Sequence, residues 1–514
     1  MLRKIIDSPW LYFSLAGLLL VGAVVSQVEF GPRERPIGSV EDLDTLSERE
    51  DLNVVFVVID MLRSDRLSSY GYQRVTSPTM DELAATGIRF AHTESQSSWT
   101  KSSMASLWTA MYPERTGVQR FFHALPDEAL MPAEIMKQAG FATGGVWRNG
   151  WVANNFGFGQ GFDLYIRPTR SRPVERVKRH NPSAHALQGT DMDATESAIE
   201  FMQVFKDRRF FLYIHYMDIH QYLYADISPD FGTSFSDIYD SSIFWTDHNV
   251  RTLMDAIRDL QLADKTMVVL VSDHGEAFFE HGLEGHARNL YREVLEVPFI
   301  IVPPFVIEGG IVVDTRVANV DIWPTLLDLL GLQMPPGAEG QSLVPRIREA
   351  SEGREVVAGD DGETDRPVFS QLDRSWGKVG ADSRSRVSMV KGKYRMNYWA
   401  NEPDDVLLFD RSQDPAERNN IAADHPEVVA ELRVEIEEFL GKPKTQWEAA
   451  PEVELDEMRV QQLRALGYVI GGRTKHTQRP DDEQPVEDAQ PGQRESEPGG
   501  AGAGSPSPAQ SPAR

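Results

Sequence analysis

The sequence predicts an α/β fold, a large and mainly parallel sheet flanked by helices, with a smaller C-terminal α+β domain. Three observations predict it. Asn53-Val54-Val55-Phe56-Val57-Val58-Ile59 is a continuous apolar, β-branched run, the pattern of a central strand buried on both faces. Similar runs at Phe210 to Ile214 and Met267 to Val271 alternate with stretches of helical periodicity. From about residue 350 the texture changes to short strand-like stretches and one helix.

In chain order, Leu2-Arg3-Lys4 precedes an almost wholly apolar stretch from Trp10 to Val28, so residues 1–30 read as a signal peptide or a membrane anchor. The poor small-residue pattern around Ala23 to Ser26 favours the uncleaved anchor, with the basic end in the cytoplasm and the rest outside it, in the cell envelope. If the segment is cleaved, the protein is secreted. Residues 31–51, rich in charge, Gly and Pro, read as a linker.

The main α/β domain is expected over 52–345. Its first strand ends at Asp60, and Ser77-Pro78 opens a helix through Ala85. Met131 to Ala139 reads as a helix stopped by Gly140, Ala142 to Trp147 as a strand, and Asn149 to Gly161 as a loop near the site. Arg167 to His180 is basic in an acidic chain and suggests an electropositive rim. Thr195 to Phe205 is a helix, the strand at Phe210 leads into His215 to His220, and Asp247 to Leu262 has apolar residues at helical spacing. Met267 to Val271 and Phe299 to Val302 are strands, and Asp321 to Leu330 is a helix. A C-terminal subdomain follows over 346–469, with strands near Val368, Val387 and Val406 and a helix from Pro426 to Leu440. Residues 470–514, made of Pro, Gly, Ser, Gln and charge, are expected to be disordered.

The net charge of −26 argues against nucleic-acid binding, and the absence of cysteine excludes disulfides, thiolate metal sites and a cysteine nucleophile. Trp99-Thr100-Lys101-Ser102-Ser103-Met104 instead places hydroxyls at the start of an apolar helix, where unpaired backbone N–H groups favour an anion. An N-cap is the structural alternative for these hydroxyls. Asp60, Asp218/His220 and Asp273/His274 stand at strand ends, where ligands gather in open α/β sheets. Two carboxylates and an imidazole suit a divalent metal, and a metal on the Thr100 hydroxyl would make it a nucleophile. His274, His281 and His286 cluster in a chain of 12 histidines, in a Gly-containing segment suited to folding over an anion.

These stretches resemble the sulfatase family of the alkaline-phosphatase superfamily. Val58 to Tyr72 resembles its first metal-binding strand end and Val271-Ser272-Asp273-His274-Gly275-Glu276 its second. His215 to His220 resembles the strand end whose last histidine contacts the substrate anion. Gly285-His286 falls where the family keeps a Lys or His near the leaving group.

The resemblance implies Asp60, Asp273, His274 and Thr100 around a divalent metal (Ca, Mn or Zn), with His220 and Lys101 steadying non-bridging oxygens and His286 serving the leaving oxygen. Sulfatases carry Cys or Ser first, Pro third and Arg fifth where this chain has Thr100, Ser102 and Met104, so formylglycine is not expected. Met61 replaces a second metal-binding Asp. A Thr nucleophile with a single Asp resembles the phosphodiesterase and phosphotransferase branches. The expectation is therefore hydrolysis of phosphate mono- or diesters through a covalent intermediate, on a small-molecule, glycan or lipid-headgroup ester. The alternatives are sulfuric ester hydrolysis, phosphoryl transfer to an envelope alcohol, and a non-catalytic anion-binding member. One metal is expected, since only His215, Asp218 and His281 remain as ligands for a second.

Overall fold

The computed structural model describes residues 34–454, apart from 169–176, 180–188, 355–365, 377–382, 400, 401, 403, 443–446 and 448, together with Phe13. Among the described residues no helix is long and apolar enough to cross a membrane. The segment 1–30, the tail 470–514 and most of the basic stretch 167–180 lie outside them.

The main sheet has nine strands. In chain order they are β1 (Asn53–Ile59), β2 (Ile88–Glu94), β3 (Ala142–Val146), β4 (Leu164–Ile166), β5 (Phe210–Tyr216), β6 (Thr266–Val271), β7 (Glu296–Val302), β8 (Ile311–Val313) and β9 (Val317–Ala318). The spatial order is β8-β2-β7-β6-β1-β5-β3-β4, with β9 also paired to β2. β7 runs antiparallel to both its neighbours, and the other pairs are parallel. β1 lies at the centre because both its faces are apolar. Val54, Phe56 and Val58 join one core cluster, while Val55, Val57 and Ile59 join the other. Each such side chain contributes about 1.5–3 kcal/mol by leaving water.

The flanking helices include α1 (Pro78–Ala85), α2 (Thr100–Thr109), α3 (Pro132–Gln138), α4 (Asp191–Phe205), α5 (Phe235–Asp259) and α6 (Ile322–Leu329). α5 begins twelve residues before the periodic stretch that predicts it. Ser234 caps it in a reciprocal box with Asp237, and its first half buries Tyr239, Ser242 and Thr246 among apolar residues, which blurs the pattern. β2 has no sequence signature of its own, because Arg89 and His92 interrupt its apolar positions.

A second sheet of four antiparallel strands follows: β10 (Val368–Asp373), β11 (Ser385–Lys391), β12 (Tyr394–Trp399) and β13 (Val406–Asp410), with helix α7 (Pro426–Gly441). Leu432, Ile436 and Phe439 of α7 share a core with Val387, Met389 and Met396.

Two of the expected boundaries fall within folded structure. Residues 31–51 are not a free linker over their described part. Ile37–Gly38 pairs with Val306–Ile307, and the 3₁₀ segment Glu41–Glu48 buries Leu43 and Leu46. The division at 345/346 falls inside a helix, Val344–Ser351, whose Ile347 belongs to the main core.

Candidate active site

Parallel register brings the candidate residues to one place. Val58 pairs with both His215 and Val271, so Asp60, the 217–222 turn and Asp273 all leave the sheet at the carboxyl ends of β1, β5 and β6. The chain then turns sharply at Met61, whose φ of 68° is left-handed. The strain is held by Tyr239, whose hydroxyl donates to the Met61 carbonyl (2.7 Å) and accepts from Arg63 N (2.9 Å). The turn aims the Met61 N–H at Asp273 Oδ1 (3.1 Å). Gly275 is required after His274, since a Cβ there would lie 2.2 Å from the Glu293 carbonyl oxygen.

Asp60, Asp273 and His274 are fully buried, and one ligand atom of each lies within 4.8 Å of the others. Asp60 Oδ1 and Asp273 Oδ2 are buried without a hydrogen-bond partner. The other oxygens are occupied: Asp60 Oδ2 accepts from Asn149 Nδ2 (2.6 Å) and meets His215 Nε2 (3.1 Å), while Asp273 Oδ1 accepts from the Met61 and His274 amides. His274 Nδ1 bonds the Gly275 carbonyl (2.9 Å), an acceptor, so Nδ1 carries the proton and the Nε2 lone pair faces the carboxylates. Two unpartnered carboxylate oxygens and one imidazole lone pair form a donor set that fits a divalent cation.

The electrostatics agree. Burial works against Asp60, but the His215 contact and the neighbouring histidines hold its carboxyl well below the usual range. Asp273 is pushed up by burial and by the charge of Asp60. Against the effect of burial, Asp273 and Asp60 in turn raise His274, and a divalent cation held by the three would supply positive charge in place of that second ring proton.

Thr100 is the first residue of α2, not its cap. Trp99 occupies the cap position with extended backbone and no side-chain hydrogen bond, so the helix N-terminus stays open. Thr100 Oγ1 lies 3.0 Å from His274 Nε2 and accepts a long hydrogen bond from Asn149 Nδ2 (3.4 Å). Asn149 is oriented in turn by accepting from Trp151 N (2.9 Å). The segment ahead of α2 is pinned by distant parts of the chain. Ser95 N donates to the Leu295 carbonyl, Gln96 O accepts from Gln371 N, Gln96 Oε1 accepts from Val320 N, and Ser98 Oγ donates to the Asn289 carbonyl.

Three imidazoles converge. The His286 ring is 4.6 Å from that of His274 and 5.0 Å from that of His220. Burial pushes His220 down to about 4 and His286 well below its ordinary value, so both are neutral at pH 7. His286 Nδ1 meets Glu276 Oε2 (3.4 Å), and burial pushes the Glu276 carboxyl up to about 7. The Glu276–His286 pair can therefore hold a transferable proton at neutral pH.

Asp60, Thr100, His220, Asp273, His274 and His286 are thus brought together. Lys101 is not brought into this group. Its buried ammonium is bonded to the main-chain carbonyls of Phe121 and His123 (2.8 Å to the latter), with the Phe156 ring 4.0 Å away. Its amine ties down the 121–123 segment, and burial without a carboxylate partner pushes its pKa well below the ordinary lysine value. Of the spare ligands, Asp218 is paired with Arg148 (2.5 Å) and Trp245, and His281 with Glu293 and Glu417, so neither is available for a second metal. Sequence reasoning missed Asn149 and Glu276, although Asn149 opens the loop placed near the site and Glu276 lies in the quoted second metal-binding motif.

A first prediction follows from the orphaned oxygens. In Asp273→Asn the amide oxygen still accepts from Met61 and His274, while the repulsion from Asp60 disappears. Without metal the variant should melt at or above the wild-type temperature, and the upward shift that a divalent cation gives the wild type should vanish. Thermal scans with EDTA and with Mn, Ca or Zn read both effects.

The sulfatase family model matches residues 52–332. Mouse (Mus musculus) arylsulfatase K is 22% identical over 458 residues, covering 76% of this chain and 80% of that protein. Among solved structures, a 2-O GAG sulfatase has a TM-score of 0.62 at 17% identity, covering 76% of this chain and 92% of that one. The phosphonate monoester hydrolase of Agrobacterium radiobacter has a TM-score of 0.59 at 17% identity, covering 75% and 95%. These structures share its fold. With this family match, the chain belongs to the sulfatase family and is a hydrolase acting on ester bonds.

Proposed function

We propose that this enzyme hydrolyses a monoanionic ester, with a phosphodiester as the leading substrate class and Thr100 as the nucleophile. The observation that supports this reading is the charge balance of the site. Asp60 and Asp273 bring two negative charges, which one divalent cation cancels. The nearby buried cations are committed elsewhere: Lys101 to carbonyls, Arg148 to Asp191 and Asp218. Neutral histidines then face the substrate, a setting that suits one negative charge better than the two of a phosphate monoester.

Asp60, Asp273 and His274 would hold a divalent cation, which would supply Lewis acidity for a nearby hydroxyl and for the ester. Asn149 orients Thr100 Oγ1, which gives up its proton to solvent and forms the new bond to phosphorus as the ester oxygen departs on the opposite side. His220 hydrogen-bonds a non-bridging oxygen. The Glu276–His286 pair gives the departing oxygen its proton, and water then releases the threonine ester. The alcohol is a small molecule, a glycan or a lipid headgroup. The apolar 10–28 stretch supports a location outside the cytoplasm, anchored in the membrane.

A sulfate monoester carries the same single charge and is the second reading, favoured by membership of the sulfatase family and the similarity to arylsulfatase K. Thr100 separates the two: a secondary alcohol cannot give formylglycine. The test is turnover of an aryl phosphodiester, an aryl phosphate monoester and an aryl sulfate by metal-loaded enzyme. Diester turnover should exceed monoester turnover at least tenfold. A monoester preference would overturn the charge argument, and dominant sulfate turnover would establish the second reading.

A further inference from the structure

The segment between Gly275 and Val294 closes on itself, with the Gly275 amide bonded to the Val294 carbonyl (3.0 Å). One side of this loop delivers Glu276 and His286 to the site. The opposite side carries His281, which the reaction does not use.

His281 has an unusual pair of partners. Its Nδ1 lies 2.8 Å from Glu293 Oε1, and its Nε2 lies 2.9 Å from the carbonyl oxygen of Glu417. A carbonyl only accepts, so Nε2 carries a proton. A carboxylate also only accepts, so Nδ1 carries the other. The ring therefore fits this place as an imidazolium. It stacks flat on Tyr291, with centroids 3.7 Å apart and planes 3° from parallel, and its side chain is 10% exposed. Glu417 is itself fixed. Its carboxylate accepts from Arg395 Nε (2.6 Å) of β12 and from the Arg292 amide (3.0 Å), and Arg411 Nε lies 3.3 Å away. The neighbouring Glu280 is held by Arg63 (2.5 Å), and Tyr291 feels Arg386 and Asp405.

We propose that His281 is a positioning residue, a doubly donating clasp that ties the loop carrying Glu276 and His286 to the segment after β13, which Glu417 fastens to the C-terminal sheet, and that opens as the ring loses its second proton. Its relevance to catalysis rests on the assignment of Glu276 and His286 to the leaving oxygen. Loss of that proton leaves either the Glu293 carboxylate or the Glu417 carbonyl facing a bare ring nitrogen, without a donor. Burial works against the charged ring, yet Glu293 and Glu417 together raise it above the ordinary histidine value. A group raised on folding stabilises below its unfolded pKa, near 6.5, and that contribution is lost as pH rises through the folded value. The loop is thus closed in acid and loosens in base.

The test is amide hydrogen exchange of residues 276–291 in the full chain, corrected for the pH dependence of intrinsic exchange, from pH 6 to 9. In the wild type, opening should rise about tenfold per pH unit between the ordinary and raised histidine values, and then level off. Glu293→Gln, which removes the charge but keeps an acceptor, should bring the levelling to lower pH. The alkaline limb of kcat/KM should move in the same direction. Loop protection independent of pH in the wild type would overturn the proposal, even if the variant failed to fold. So would a Glu293→Gln protein with an unmoved profile. If exchange behaves as expected and the kcat/KM limb does not move, the clasp stands, and the assignment of Glu276 and His286 to the leaving oxygen fails instead.

Discussion

Thr100→Ala should lower kcat by roughly 10⁴-fold or more while the protein stays folded. The two effects separate because the hydroxyl does little for stability. Among the described residues it is partnered only by His274 Nε2 and, weakly, by Asn149, and α2 is anchored by ten buried residues and by Ser103, whose Oγ donates to the Asp273 carbonyl (2.6 Å). Removing one such hydrogen bond costs about 1 kcal/mol, a change a denaturation curve resolves easily from unfolding. Divalent-metal affinity should fall modestly, since both carboxylates and His274 remain. Thr100→Ser keeps a hydroxyl at the same place and should retain far more activity than the alanine variant. Equal kcat in wild type and Thr100→Ala would remove the threonine from the chemistry. A Thr100→Ser protein as inactive as the alanine variant would mean that the methyl group, not the hydroxyl alone, sets the geometry.

Arg395→Met should destabilise the fold by about 3–5 kcal/mol, the cost of breaking a buried ion pair from one side. Arg395 has no exposed surface and joins the two sheets. Its Nη2 donates to both oxygens of Glu94 at the end of β2 (2.9 and 3.0 Å), its Nε to Glu417 and its Nη1 to Ser388 Oγ (3.1 Å). Arg316 and Arg411 also reach Glu94, which keeps the loss from being larger. Burial disfavours the charged Glu94, but these three arginines hold it down to about 2. A depressed carboxylate stabilises above its unfolded value, near 4.3, and the contribution is lost as pH falls from there towards 2. Urea denaturation at pH 7 should show the full difference between wild type and variant, and the gap should narrow between about pH 4.3 and 2.

Much of this was legible because it rests on short-range pattern. The β1 run, the strand ends at Asp60 and Asp273 and the helix start at Thr100 each announce themselves within a few residues, and parallel pairing then brings them to one edge. What was not legible depends on partners far along the chain. Lys101 reads as an anion-binding cation until its acceptors, twenty residues on, are seen. Asp218 reads as a metal ligand until Arg148 is found against it. β2 is interrupted by polar residues because its alternate positions serve ion pairs, and Glu94 is matched by an arginine some three hundred residues later. Residues 31–51 look like a tether by composition, yet Leu43 and Leu46 are enough to seat the 3₁₀ segment Glu41–Glu48. Glu276 and Asn149 carry no periodic signal, since their value lies in side-chain contacts with residues distant in the chain: Glu276 with His286, Asn149 with Asp60 and Thr100.

The struts that seat Thr100 also bear on when the active site comes into being. The segment Ser95 to Ser98 is fastened to Asn289, Leu295, Val320 and Gln371, all of which leave the ribosome well after it. During synthesis, Thr100 has no seat until most of the chain has followed. Contacts of such long sequence separation form late and slowly. A half-made chain is therefore catalytically silent, and it offers a passing cation only scattered carboxylates rather than a finished pocket.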